Sequence, residues 1–232
     1  MAPFMTTAVK ICGITDDSAL DAARDAKADF VGFVFFPKSP RNLDLARARA
    51  LRERVPRDGA CKTVALVVDP SDLALAEIVN EVDPDLLQLH GHEQLQRVAE
   101  IRQRFGKPVM KAISVSSAAD VAAGLAYLSP GHLADFLLFD AKPDPNAVLP
   151  GGNGLAFDWR ILEGLAGRTP FALAGGLNPE NVAEAIARTG AAIVDVSSGV
   201  ESAPGVKEPG LIRRFLQAAK AAKQGTIDAA PR

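Results

Sequence analysis

The sequence predicts an α/β fold, a single (β/α)8 TIM barrel with eight parallel strands, on three observations. Eight short apolar runs alternate with eight amphipathic stretches of helical period. The alternation fits within 232 residues, the size of one such barrel. The first run ends in Cys12-Gly13-Ile14-Thr15, not in the G-x-G-x-x-G of a dinucleotide-binding sheet, the other architecture this alternation allows. No Pro/Gly/Ser-rich linker divides the chain, so 1–232 reads as one domain. Its core spans about 8–223, with loose ends at 1–7 and 224–232.

The strand runs are AVKIC at 8–12, DFVGFVF at 29–35, KTVALVV at 62–68, LLQLH at 86–90, PVMKAI at 108–113, DFLLFD at 135–140, FALA at 171–174 and AIVDV at 192–196. Helical patterns lie near 16–27, 43–55, 71–82, 93–105, 117–128, 158–166, 179–189 and 208–223. Thr15, Ser71 and Asn178 each precede such a pattern as a cap, and Pro179 suits a first helical position. The longest irregular stretch, 141–157, is a loop.

Composition removes several function classes. Lys and Arg total 26 against 28 Asp and Glu, for a net charge of -2. That balance argues against a nucleic-acid binder with a broad basic face. No apolar run approaches the roughly 20 residues that span a bilayer. Met1 to Thr7 lacks the charged start and apolar core of a signal peptide, so a reducing cytoplasm is expected. There Cys12 and Cys61 should stay free of a disulfide. His90, His92 and His132 are too scattered for a metal cage. No metal and no cofactor is expected. The expected partner is a small phosphorylated molecule, and a monomer and a homodimer both fit.

A barrel of this kind carries its site at the C-terminal strand ends. Cys12 ends the first strand, with Lys10 on the same face. An inward Lys10 is costly unless paired, which hints at an electrostatic purpose. Gln88 and His90 end the fourth strand, Asp140 the sixth, and Asp195 lies near the end of the eighth. Asp140 follows Leu137-Leu138-Phe139, an apolar wall that suits a general acid; the plainer reading is a cap or a pair with Lys142. Asp195 could orient loops or contact a sugar hydroxyl. Arg41 stands after the second strand, able to grip a carboxylate through its planar fork or simply to sit in solvent. Gly175-Gly176 and Ser198-Gly199 follow the seventh and eighth strands, where barrels bind phosphate; ordinary tight turns are the alternative. Cys61 precedes the third strand, at the opposite end of the barrel, and reads as structural.

Together these stretches resemble the phosphoribosylanthranilate isomerases, barrel enzymes of tryptophan biosynthesis. The resemblance rests on Lys10-Ile11-Cys12-Gly13-Ile14-Thr15, on Val31-Gly32-Phe33-Val34-Phe35 with Pro37-Lys38-Ser39 and Arg41, and on Leu87-Gln88-Leu89-His90-Gly91. It continues through Asp140-Ala141-Lys142, Gly151-Gly152 with Gly154 and Phe157-Asp158-Trp159, Gly175 to Val182, and Asp195 to Glu201. It implies an Amadori rearrangement of N-(5-phosphoribosyl)anthranilate to 1-(2-carboxyphenylamino)-1-deoxyribulose 5-phosphate, without cofactor or metal. It makes Cys12 the general base and Asp140 the general acid. It sets Arg41 against the anthranilate carboxylate. Strand position, not the resemblance, puts Gln88, His90 and Asp195 beside the substrate. It sets the phosphate on Gly175, Gly176, Ser198 and Gly199, with Gly152 and Gly154 nearby. Lys10 and the helix after Thr15 are expected to lower the Cys12 pKa. Phe139 stands where the family has an aliphatic residue, and should touch helix packing rather than chemistry. A histidine-pathway aminoaldose isomerase would carry Asp where Cys12 stands. A non-catalytic phosphate-binding barrel would not need the Cys12 and Asp140 pair. A thiol redox protein would need a second cysteine nearer Cys12 than Cys61.

Overall fold

Alternation of inward and outward side chains along parallel strands gives a closed barrel in which every strand pairs with its sequence neighbours. The structure, a computed structural model, describes residues 7–57, 59–128, 133–142, 151–152, 154, 157–165 and 167–222. His132, most of the 141–157 loop, residues 1–6 and the tail from 223 lie outside the described residues. The strands are β1 (Ala8–Cys12), β2 (Phe30–Phe35), β3 (Lys62–Val67), β4 (Leu86–Leu89), β5 (Val109–Val115), β6 (Phe136–Ala141), β7 (Ala172–Leu173) and β8 (Ile193–Val196). All pairings are parallel, and β1 closes on β8 with Ala8 opposite Ile193 and Lys10 opposite Asp195. The expected eight-stranded barrel is the observed fold.

The interior fills in layers. Val64, Leu86, Met110, Leu138, Ala172 and Ile193 pack the lower barrel, while Cys12, Val34 and Leu66 pack at the mouth. The alternate residues Val9, Ile11, Phe33, Leu137, Phe139 and Val194 face outward onto the helices. Phe139 meets the Phe171 ring edge-on at 5.6 Å, in the helix packing where the sequence put it.

The helices are α1 (Asp17–Asp25), α2 (Leu45–Glu53), α3 (Asp72–Glu81), α4 (Leu95–Phe105), α5 (Ala118–Gly124), α6 (Val182–Thr189) and α7 (Pro209–Ala221). Ser71 caps α3 as expected, accepting from the Ala74 amide. The other two caps move. Asp16, not Thr15, caps α1 through the Ala19 amide, because a carboxylate one residue nearer the helix is the stronger acceptor. Asn178 instead closes a turn on the amides of Glu180 and Asn181, so α6 begins three residues later than expected. The sixth helical pattern is a 3-10 helix, Trp159–Leu165, where Gly164 weakens the α-helix. The expected fifth helix likewise ends at Gly124 and tightens into a 3-10 turn, Leu125–Leu128. An unforeseen antiparallel hairpin, β9 (Glu201–Ala203) and β10 (Val206–Lys207), follows β8. Among the described residues no helix is long and apolar enough to cross a membrane.

One ion pair spans the seam. Lys10 has no exposed surface, and its Nζ donates to both Asp195 oxygens at 3.0 and 3.1 Å. Gly32 makes room for it: a Cβ there would sit 3.1 Å from Lys10 Nζ and 3.1 Å from Cys12 Sγ. Removing one partner strands the other charge. Asp195→Asn should therefore cost about 3–5 kcal/mol in urea denaturation, and Lys10→Met added to it should recover much of the loss. Retention of full stability by Asp195→Asn would contradict the pairing.

Cys61 sits at the opposite end of the barrel, packed against the outer core. Burial pushes its thiol up to about 11 from an ordinary 9.0. The unfolded chain then releases this proton first. Stability is full below about pH 9 and falls as pH rises towards 11, by roughly 2–3 kcal/mol from this group. Cys61→Ala should flatten that stretch of the stability-against-pH curve.

Candidate active site

Three strand ends bring the expected acid–base groups to one mouth. Cys12 ends β1 at 4 % exposure, directly above the Lys10–Asp195 pair. Burial opposes the Lys10 charge, yet the Asp195 carboxylate and the Cys12 sulfur hold the ammonium above its ordinary value. Burial pushes the Asp195 carboxyl up against the pull of Lys10. Burial also pushes the Cys12 thiol up; Lys10 and Lys207 draw it down without reversing the rise, and Asp195 adds to it. The expected lowering of this thiol is thus corrected. Lys10 already serves Asp195, and the Asp16 carboxylate caps the start of α1 through the Ala19 amide.

Asp140 lies in β6 at 5 % exposure. Its Oδ1 accepts from the Ala141 amide at 2.8 Å, and its Oδ2 lies 3.3 Å from His90 Nε2. Among the described residues its partners do not include Lys142. Gln88 Nε2 lies 3.0 Å from His90 Nδ1. An amide donor there makes Nδ1 the acceptor and leaves the ring proton on Nε2, a buried atom that has no hydrogen-bond partner among the described residues. Gln88 is fully buried beneath His90 and does not line the cavity. His92, by contrast, leaves the strand for solvent and meets Asp69 at 3.2 Å. The two histidines share no site. No cluster of His, Cys, Asp or Glu suited to a metal occurs among the described residues.

Arg41 arrives from the loop after β2 and is 5 % exposed, so it is not a solvated surface side chain. Its fork is already occupied. Nε donates to Glu201 Oε1 at 2.7 Å and Nη2 to Glu201 Oε2 at 2.8 Å, with the Gly152 carbonyl at 3.4 Å. The fork expected for a ligand carboxylate is thus spent inside the protein, leaving Nη1 as the guanidinium's open edge. Gly13, at φ +78°, lets the side chain pass, since a Cβ there would meet Arg41 Cδ at 2.6 Å.

Cys12, Arg41, His90, Asp140 and Asp195 line one cavity that opens to solvent. Gly152, Gly154, Gly175, Gly176, Ser197 and Ser198 complete its rim. Gly199 does not line it. There a Cβ would fall 1.9 Å from the Leu177 carbonyl, so Gly199 lets the loops after β7 and β8 touch. Gly151 folds down over the acid: a Cβ at 151 would sit 2.5 Å from Asp140 Oδ2. Sequence reasoning missed Glu201 and Lys207 as site residues. The signal available was two charged residues flanking a Pro-Gly turn just past the eighth strand.

Comparison with known proteins gives one answer. The family model for N-(5'-phosphoribosyl)anthranilate (PRA) isomerase matches residues 9–218. The N-(5'-phosphoribosyl)anthranilate isomerase of Paramagnetospirillum magneticum is 56 % identical, covering 93 % of this chain and 98 % of its own. That of Cereibacter sphaeroides is 55 % identical, covering 91 % and 98 %. The crystal structure of the Thermotoga maritima enzyme superposes with a TM-score of 0.81 at 34 % identity, covering 93 % of this chain and 99 % of that one. A phosphoribosyl anthranilate isomerase in complex with reduced 1-(o-carboxyphenylamino)-1-deoxyribulose 5-phosphate gives 0.79 at 33 % identity, covering 93 % and 99 %. With its barrel, a family model over most of its length and relatives above 50 % identity in agreement, the chain belongs to the N-(5'-phosphoribosyl)anthranilate isomerase family.

Proposed function

We propose that this cavity isomerises N-(5-phosphoribosyl)anthranilate to 1-(2-carboxyphenylamino)-1-deoxyribulose 5-phosphate, a step of tryptophan biosynthesis, with Cys12 as general base and Asp140 as general acid. The observation that carries the reading is the placing of Cys12 and Asp140 on one cavity whose rim holds a cation and glycine-rich loops. The ligand of the solved relative has a carboxylate at one end and a phosphate at the other. Arg41 suits the first end through Nη1. Gly175, Gly176 and Ser198 suit the second, with Gly152 and Gly154 closing over the middle.

The chemistry moves three protons. Asp140 gives a proton to the furanose oxygen as the C1–O bond breaks, and the anthranilate nitrogen lone pair forms the iminium. The iminium acidifies the C2 proton. Cys12, as thiolate, removes it, and the C2–H electron pair neutralises the iminium to give an enolamine. Tautomerisation moves a proton from the C2 oxygen to C1 and yields the aminoketose. The Ala141 amide receives the carboxylate left on Asp140, with the His90 ring 3.3 Å away. Asp195 holds Lys10 under the sulfur. The reading needs no cofactor. It places the enzyme in the cytoplasm, and it suits a monomer or a homodimer of this chain; light scattering separates the two.

Loss of phosphoribosylanthranilate fluorescence, above its spontaneous decay, tests the reaction. Cys12→Ala and Asp140→Asn should fold normally and each lose about 10²–10⁴-fold in turnover. Near-native turnover by either removes that assignment, and no consumption by the wild type removes the reading. Arg41→Ala should act mainly on KM.

The pH profile follows from the raised thiol. Activity needs the thiolate, so kcat/KM should still be climbing above neutrality, where an ordinary thiol would already be ionising. Lys10→Met removes a cation that draws the thiol down, so the limb should move further up in pH. An unmoved limb would contradict the lysine's part.

A further inference from the structure

Glu201 and Lys207 lie outside the acid–base pair, have side chains nearly closed to solvent, and bond two residues that line the cavity, Arg41 and Ser197. The Glu201 carboxylate is saturated. It accepts from Arg41 Nε at 2.7 Å, Arg41 Nη2 at 2.8 Å, Lys207 Nζ at 2.6 Å and the Gly205 amide at 3.2 Å. The Lys207 ammonium is saturated too, donating to Glu201, to the Ser197 carbonyl at 2.9 Å and to Ser197 Oγ at 3.2 Å. With three donors spent on three protein acceptors, Lys207 has none left for a ligand.

What Lys207 holds is the peptide that opens the loop after β8. In a trans peptide the carbonyl and the following amide point opposite ways. Turning the Ser197 carbonyl onto Lys207 therefore turns the Ser198 N–H away from it, in a loop whose Ser197 and Ser198 line the cavity. Glu201 does the matching task at the other end. By taking Nε and Nη2 it leaves Nη1 as the one edge of Arg41 free for a ligand. The hairpin that carries both residues follows β8 and turns at Gly205, whose carbonyl accepts from Thr15 Oγ1 at 3.4 Å.

We infer that Glu201 and Lys207 are a pair of positioning residues that hold the two anion-binding ends of the cavity in fixed relation, Glu201 aiming Arg41 and Lys207 aiming the Ser197–Ser198 peptide. The inference rests on the functional reading above. It extends that reading by dividing the substrate's two charges between two internal partners. A purely structural pair would weaken both ends alike or neither.

The test reads binding of two fragments, anthranilate and inorganic phosphate, by NMR titration of the intact protein. Glu201→Gln keeps an acceptor for Lys207 and loses the charge that orients Arg41. It should weaken anthranilate by about tenfold or more and leave phosphate within about twofold, the scale of one charge-assisted hydrogen bond. Lys207→Met should do the reverse. With the whole substrate, both should raise KM more than they lower kcat. Should either fail to fold, Glu201→Asp and Lys207→Arg carry the same comparison with the charge kept and the reach altered. Equal weakening of both fragments, no weakening of either, or a wild type that binds neither overturns the inference. Because these constants need no turnover, a wild type that binds both fragments but leaves phosphoribosylanthranilate unconsumed overturns the functional reading alone.

Discussion

A lysine with no contact with water, in the middle of a barrel, is the constraint around which this molecule is arranged. An unpaired ammonium there would be prohibitively unfavourable, so Lys10 needs a counterion at hydrogen-bonding distance, and Asp195 is that counterion. The pair sits across the strands where the barrel closes, so electrostatics and closure support one another. Gly32 exists beside it because any side chain would crowd both the ammonium and the sulfur above. Cys12 inherits its surroundings from this arrangement: a cation beneath, a carboxylate beyond, and little water.

The rest of the mouth repeats the same solution. Arg41 is charged and buried, and Glu201 answers it; Glu201 is doubly solicited, and Lys207 balances it. Burial opposes the Glu201 charge, but the two cations hold its carboxyl below the usual range. Outside the barrel wall, Lys111 and Glu93 pair at 2.7 Å, and Glu93 also accepts from the Gly91 amide. That fixes the turn carrying His90 over Asp140. The open site thus stands on buried ion pairs, two of which, Lys10–Asp195 and Arg41–Glu201, join residues far apart in sequence.

How much of this the sequence disclosed depends on the range of the interaction. Period-two and period-3.6 patterns are local, so the eight strands and most helices could be read within a residue or two. Cys12, Asp140 and the glycines after the seventh strand could be placed at the mouth from position on the strands, while Gly199, after the eighth, proved to pack the two loops together. Partners did not follow. Lys10 and Asp195 are 185 residues apart, and alternation says which face each takes but not which residue lies opposite after closure. The same gap hid Glu201 as the partner of Arg41, 160 residues away, and so the occupied fork. The direction of the Cys12 shift was hidden because a sequence names the neighbouring lysine but not the depth of burial. Local competition decided the smaller departures: Asp16 outbid Thr15, and Gly164 turned a helical pattern into a 3-10 helix.

The seam also sets an order of events during synthesis. β1 emerges from the ribosome first and β8 near the end, yet the Lys10 charge can be buried only when Asp195 arrives. Until then the first strand carries an ammonium that favours water, which discourages the partial barrel from sealing around it. The thiol above has no finished pocket over the same interval. A truncated chain that stops before Ile193 would expose an open sheet edge on β1 and β7 together with that charge, a natural target for chaperones and proteases.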